Sequence, residues 1–200
     1  MKGNGLFTVL LFDTFNIYIF EMVTAMNMKK PILIYTVLIL LSIQASTFAQ
    51  GIEELEKRNG FKDIKLASSV DQYDGLEFVE EIDDEKFGKL QIYTRKKEHY
   101  TSIGSIPIKD LTVRVYNGEV YQIQVLIPKD PKMYGGLKQA FGPPKFDIVN
   151  NDYFWAADSL KLIYRSYDKK VLEMLYHSRV IDRKLEMEKD EEIEDIASDF

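Results

Sequence analysis

Two runs of the chain, "LTVRVYNGEVYQIQVLI" from residue 111 and "LKLIYRSYDKKVLEMLYHS" from residue 160, alternate apolar with polar residues on both sides of a turn-forming centre. A period of two is the pattern of a half-buried strand, so each run predicts an antiparallel hairpin with one face on a core. Asn117-Gly118 would ordinarily form a two-residue turn, but that turn places Val113 opposite Gln122 and divides the apolar residues between the faces. A three-residue loop, Tyr116-Asn117-Gly118, pairs Val113 with Tyr121 and Leu111 with Ile123, and is the expectation. The same count over Tyr167-Asp168-Lys169 pairs Tyr164 with Leu172 and Leu162 with Met174. Strand parity then turns Lys161, Ile163, Arg165, Val171, Glu173, Leu175 and His177 away from the core, and with them Arg114, Val120, Gln122, Gln124 and Leu126 of the first hairpin. Exposed aliphatics bordered by Arg and Gln have the composition of an interaction surface. Arg114, Gln122, Gln124, Ile163, Arg165, Leu175 and His177 are its candidate partner-binding residues; scattered surface aliphatics, or cover by another segment, are the plainer alternatives.

Between the hairpins, "KDPKMYGGLKQAFGPP" is bounded as a helix at both ends. Asp130 is placed to cap, Pro131 occupies the first helical position, Gly142 suits the left-handed residue past the last turn and Pro143 prevents continuation. Met133, Leu137 and Phe141 make the buried stripe of a helix over 131–141. Gly135 and Gly136 each cost about 1 kcal/mol against alanine there, which implies either packing support or a close approach. Upstream, "KDIKLASSVDQYDGLEF" matches "IQVLIPKDPKMYGGLKQ" at a constant offset, with Ser69 at the place of Asp130, Tyr73 at that of Tyr134 and Leu76 at that of Leu137. Read as a duplication, each copy is a strand, a cap and a short helix ahead of a hairpin; chance similarity competes over so few matches. Further strands are expected near 77–82, 90–97, 145–149 and 152–156. The expected fold class is α+β: an antiparallel sheet with short helices on one face, in two tandem units over about 61–127 and 128–180, and a C-terminal acidic helix.

A different signal lies near the start. "MKKPILIYTVLILLSIQASTFAQG" begins at Met28 with two lysines, runs apolar from Pro31 to Ile43 and ends with Thr47 and Ala49 at the −3 and −1 positions of a cleavage site. That order is a secretory leader's, so residues 28–49 read as a signal peptide, 1–27 as an extension from an upstream start codon, and the protein as exported, periplasmic or extracellular. If the leader stays uncut, a membrane anchor is the alternative, because the run nearly reaches the roughly 20 residues a bilayer needs. The mature chain starting at Gln50 holds one α+β domain, 50–180. It contains no cysteine, and hence neither disulfide nor lipid attachment. Residues 182–200 carry nine acidic and three basic groups, against 32 acidic and 26 basic in the whole chain, so the domain itself is nearly neutral. That balance argues against nucleic acid as a partner. In the tail, 181–200, acids repeat four residues apart and repel, which predicts a fraying, solvated helix rather than a docking arm for a basic partner.

Few chemistries fit. The only histidines are His99 and His177, so no clustered metal-ligand spacing exists, and no metal or cofactor is expected. Ser102 and Ser105 in "YTSIGSIP" lack a nucleophile elbow and read as a connecting loop. "DDE" at 83–85 and "DIVNND" at 147–152 read as turns rather than calcium loops. The spacing Leu137, Phe141, Gly142, Pro144, Trp155 resembles uncharacterised secreted proteins of Bacteroidetes-type bacteria. More distantly the layout is similar to the tandem units of β-lactamase inhibitory protein and of small outer-membrane assembly lipoproteins. Those relatives differ in carrying disulfides or a lipid-bearing cysteine, so the resemblance implies an architecture and no activity. The expected function is a non-catalytic binding or envelope-associated module without stable membrane insertion after cleavage. A small hydrolase built on paired carboxylates is the alternative.

Overall fold

Both hairpins form, and they lie in one sheet. The computed structural model describes residues 51–198 and Phe200, within the compact unit Phe48–Phe200; the leader and the 1–27 extension lie outside the described residues. Residues 51–58 are helical (α1) and lead into a small ladder of β1 (Gly60–Phe61) and β2 (Ile64–Lys65). After a 3-10 turn at Val70–Gln72 come β3 (Leu76–Asp84), β4 (Gly88–Arg95), the tiny hairpin of β5 (Ser102–Ile103) and β6 (Ile106–Pro107), β7 (Asp110–Tyr116) and β8 (Glu119–Pro128). Helix α2 (Pro131–Phe141) precedes β9 (Lys145–Asp147), β10 (Asp152–Ala156), β11 (Leu160–Ser166) and β12 (Val171–Ser178), and α3 (Arg179–Ser198) follows. The eight-stranded antiparallel sheet has the order β3-β4-β7-β8-β12-β11-β10-β9. Two meanders therefore meet through their last strands, β8 and β12.

Helix α2 has the predicted bounds. Asp130 accepts the amide of Lys132 at 2.8 Å, and Gly142 sits at φ 76°. Met133, Leu137 and Phe141 are buried against Leu111, Val113, Ile123 and Val125 of the first hairpin and Leu162, Tyr164 and Met174 of the second. The indole of buried Trp155 donates to the Gly142 carbonyl at 2.8 Å, which ties β10 to the helix end. Helix α1 contributes Leu55 to the same core and approaches closely: a Cβ on Gly51 would lie 2.5 Å from the Phe141 carbonyl group.

Four expectations are corrected. Asn117 (φ 49°) and Gly118 (φ 78°) do form the two-residue turn. Val115 then faces Val120, and a β-bulge leaves Tyr121 unpaired, so Arg114 meets Gln122, Val113 meets Ile123 and Leu111 meets Val125. The bulge sends Val120 into the core rather than outward. The second hairpin also shifts by two residues, pairing Tyr164 with Met174 and Leu162 with Tyr176, because Asp168 accepts the Lys170 and Val171 amides in a longer loop. In the upstream copy Ser69 does cap, but only a 3-10 turn follows and Leu76 already belongs to β3. Gly75 explains the stop: its Cα lies against His99 and Tyr100, where a Cβ would come within 2.8 Å of both. Residues 102–107 form a short hairpin instead of a plain loop, while Asp84 and Asp147 accept amides two and three residues on, as turn residues do.

Helix α3 departs from the single-face arrangement. Ile181 and Leu185 are buried with Tyr121 in a separate cluster bordered by Ala67, Phe87 and Tyr116. Beyond Leu185 the apolar stripe is solvated, with Ile193 63 % and Ile196 56 % exposed. The tail is thus anchored by buried Ile181 and Leu185 in its first two turns and by the Tyr116 hydroxyl donating to Glu188 at 3.2 Å in its third, with exposed residues beyond.

Candidate functional site: the outer sheet face

On the side of the sheet away from α1 and α2, register alone places the seven candidate residues in three adjoining rows. One row runs Ile92, Arg114, Gln122, His177, Lys161 across β4, β7, β8, β12 and β11. The next runs Thr94, Thr112, Gln124, Leu175, Ile163, Phe154, and the third Asp110, Leu126, Glu173, Arg165. All seven come together on four neighbouring strands. They are less exposed than parity implied: Gln122, Leu175 and Glu173 are buried, Glu173 to 1 % exposure, and Val171 is buried as well. Arg165 and Gln124 reach onto Glu173, and Arg114 onto Gln122.

The cover is polar and ordered. Glu173 accepts from Arg165 Nε on one oxygen and from Gln124 Nε2 on the other, and Arg114 donates to Gln122. Arg165 reaches further to buried Asp152, with Nη1 3.5 Å from Oδ2. Burial pulls the Arg165 pKa down, but hydrogen bonding and charge from Glu173 and Asp152 more than offset it, and the net shift is upward. The guanidinium is therefore a permanent cation holding two buried carboxylates. Asp152 and Glu173 are the members the sequence reading missed as a site; residues on three strands carry no spacing that would join them.

Comparison of the chain with protein-family models, with curated proteins and with solved structures finds no match.

At one end of the face α3 takes over. His177 Nε2 lies 2.6 Å from Asp182 Oδ2 and 3.3 Å from the Tyr121 hydroxyl, and Lys86 Nζ is 2.6 Å from Asp182 Oδ1. Burial raises the Asp182 pKa, yet the hydrogen bonds from Lys86 and His177 outweigh it and hold the carboxyl below its ordinary value. Burial, with the nearby charges of Asp182 and Asp84, pushes the Tyr121 hydroxyl well up, so it stays protonated. His177 is thus a tie between the sheet and the helix. Among the described residues no group of three or more His, Asp or Glu side chains is placed to hold a metal ion. No helix among them is long and apolar enough to cross a membrane.

Proposed function

We propose that the protein is an exported, non-catalytic binding module of the cell envelope that engages a protein partner through the outer face of β7, β8, β12 and β11. The observation that carries this reading is the lattice in which Arg165 joins Glu173 and Asp152 while Gln124 closes the other side of Glu173. It fixes long side chains on rigid strands before any partner arrives, which lowers the ordering cost of association. Half-buried Ile163 and Leu126, on the same face as Arg114 and Arg165, supply the apolar and arginine contacts that interface centres favour. Among the described residues both buried carboxylates are committed to Arg165 and the large pocket on the helix side has no carboxylate in its lining, which weighs against a carboxylate-based hydrolase. The leader-like segment supports export, and the mirrored strand order supports a duplicated unit.

The test is a photo-crosslinking residue at position 163, compared with one at exposed Glu98, in cells that export the protein. A discrete adduct is expected at 163 alone, lost in a background of Arg114→Glu with unchanged melting. Equal labelling at both positions, or an adduct indifferent to Arg114→Glu, refutes the surface. Intact mass of the exported chain is expected to begin at Gln50; a product beginning before Pro31 refutes leader cleavage.

A further inference from the structure

On the opposite side of the sheet, where α1, β1, the β5–β6 hairpin and α2 converge, an apolar cavity of about 470 Å³ remains. Its walls include Phe61, Met133, Leu137, Phe141, Met174 and Tyr176, all of them buried. It opens to solvent past exposed Arg58, Lys62 and Gly136, and its volume falls within the roughly 300–1,000 Å³ of small-molecule sites.

Two features say what would fill it. The first is Gly136, which lines the cavity from α2: a Cβ there would meet nothing within 4 Å, so no neighbour demands a glycine. Glycine costs the helix about 1 kcal/mol against alanine, and the absent side chain leaves the cavity open. Of the two alternatives for this glycine, packing support or a close approach, the close approach is not made. The second feature is charge. Among the described residues the lining contains Arg58 and Lys62 and no acid. The Arg58 guanidinium stands 5.4 Å from the Phe141 ring centre and Lys62 Nζ 5.9 Å from that of Phe61, so each cation is held over an aromatic wall of the cavity. Glu54 binds Arg58 Nε at 2.8 Å, which orients the guanidinium and partly offsets its charge. Inside, Met133 and Met174 offer unbranched, adaptable surface suited to a flexible chain rather than a rigid ring.

We propose that this cavity binds a single-chain amphiphile with a carboxylate head, of the fatty-acid type, with its tail along Met133, Leu137 and Met174 and its head between Arg58 and Lys62. The test is displacement of a fluorescent fatty acid from the full chain by dodecanoate, below its micellar concentration. Dodecanoate is expected to compete saturably. Gly136→Leu is expected to weaken it about tenfold or more while the melting temperature holds or rises. Gly135→Leu, one residue along and outside the cavity lining, is expected to leave it unchanged. The pair Arg58→Gln and Lys62→Gln is expected to reduce dodecanoate to the affinity of dodecanol. Absence of competition, competition indifferent to Gly136→Leu, or wild-type affinity for dodecanol equal to that for dodecanoate overturns the proposal.

Discussion

The two faces of the sheet are stabilised by different physics. The helix side is closed by Leu111, Val113, Ile123, Val125 and Leu162, all inaccessible, packed on α1 and α2. Among the described residues the outer side has no helix over its middle, and its polar groups are buried beneath one another through Arg165, Glu173, Gln124 and Asp152. Hydrophobic burial is non-directional, so the first face requires only that apolar side chains of about the right volume fill it. The second depends on particular atoms meeting, and any loss leaves a buried charge behind. A sheet can thus be specified as a fold by one side and as a surface by the other.

Four experiments test this contrast. Phe141→Ala is expected to have the largest effect, about 3–5 kcal/mol, because it opens the helix-side core and removes the edge-on contact with Trp155. A melting temperature like the wild type's would show that this side does not carry the stability. On the outer face, Arg165→Ala is expected to cost less, about 1–3 kcal/mol, since the arginine is itself partly solvated while Glu173 is left without its cation. The joint change Arg165→Met with Glu173→Leu and Asp152→Asn, which removes the arginine and both of the charges it holds, is expected to recover most of that loss in urea titrations. If the combined variant is as weak as the single, the lattice is holding the strands together rather than displaying a surface. Removing residues 189–200 is expected to change stability least, within about 0.5 kcal/mol, whereas a cut that includes Leu185 loses a buried anchor. The anchored turn is also expected to loosen in acid. Asp182 has its pKa lowered in the folded state, so its contribution is full above its unfolded value and disappears as pH falls through the folded one. Amide exchange along Arg179–Leu185 that does not speed up on acidification, after correction for intrinsic rates, contradicts this.

Much of the architecture was legible because its signals are local. Asp130, Pro131 and Gly142 mark both ends of α2 within a dozen residues, and strand parity survives an even slip, so the apolar face of the second hairpin is legible though its register is not, while in the first the bulge exchanges Val120 for Tyr121 on the core face. The bulge at Tyr121 was not legible: one unpaired residue has no composition of its own, and it alone reconciles the Asn117-Gly118 turn with a continuous core face. The upstream helix failed for a tertiary reason, since Gly75 is held against His99 and Tyr100 and Leu76 is drawn into pairing with Arg95. At the candidate surface the seven residues could be grouped from parity. Their burial could not, because it depends on Asp152, Glu173 and Arg165 arriving from three different strands.

The seam between β8 and β12 has a kinetic consequence. Within each half the strands of the eight-stranded sheet pair with sequence neighbours, across turns or short excursions, but Val125 must find Met174 across roughly fifty residues, a closure whose entropic cost is met before any contact is gained. The halves can therefore form early and separately, and their joining is the slow step. Until it happens β8 presents a ten-residue unpaired edge, Glu119–Pro128, rich in Val, Ile and Leu. A chain emerging N-terminus first exposes that edge while β12 is still to come, so the interval between the two strands is when this protein is most open to aggregation and to capture by a chaperone.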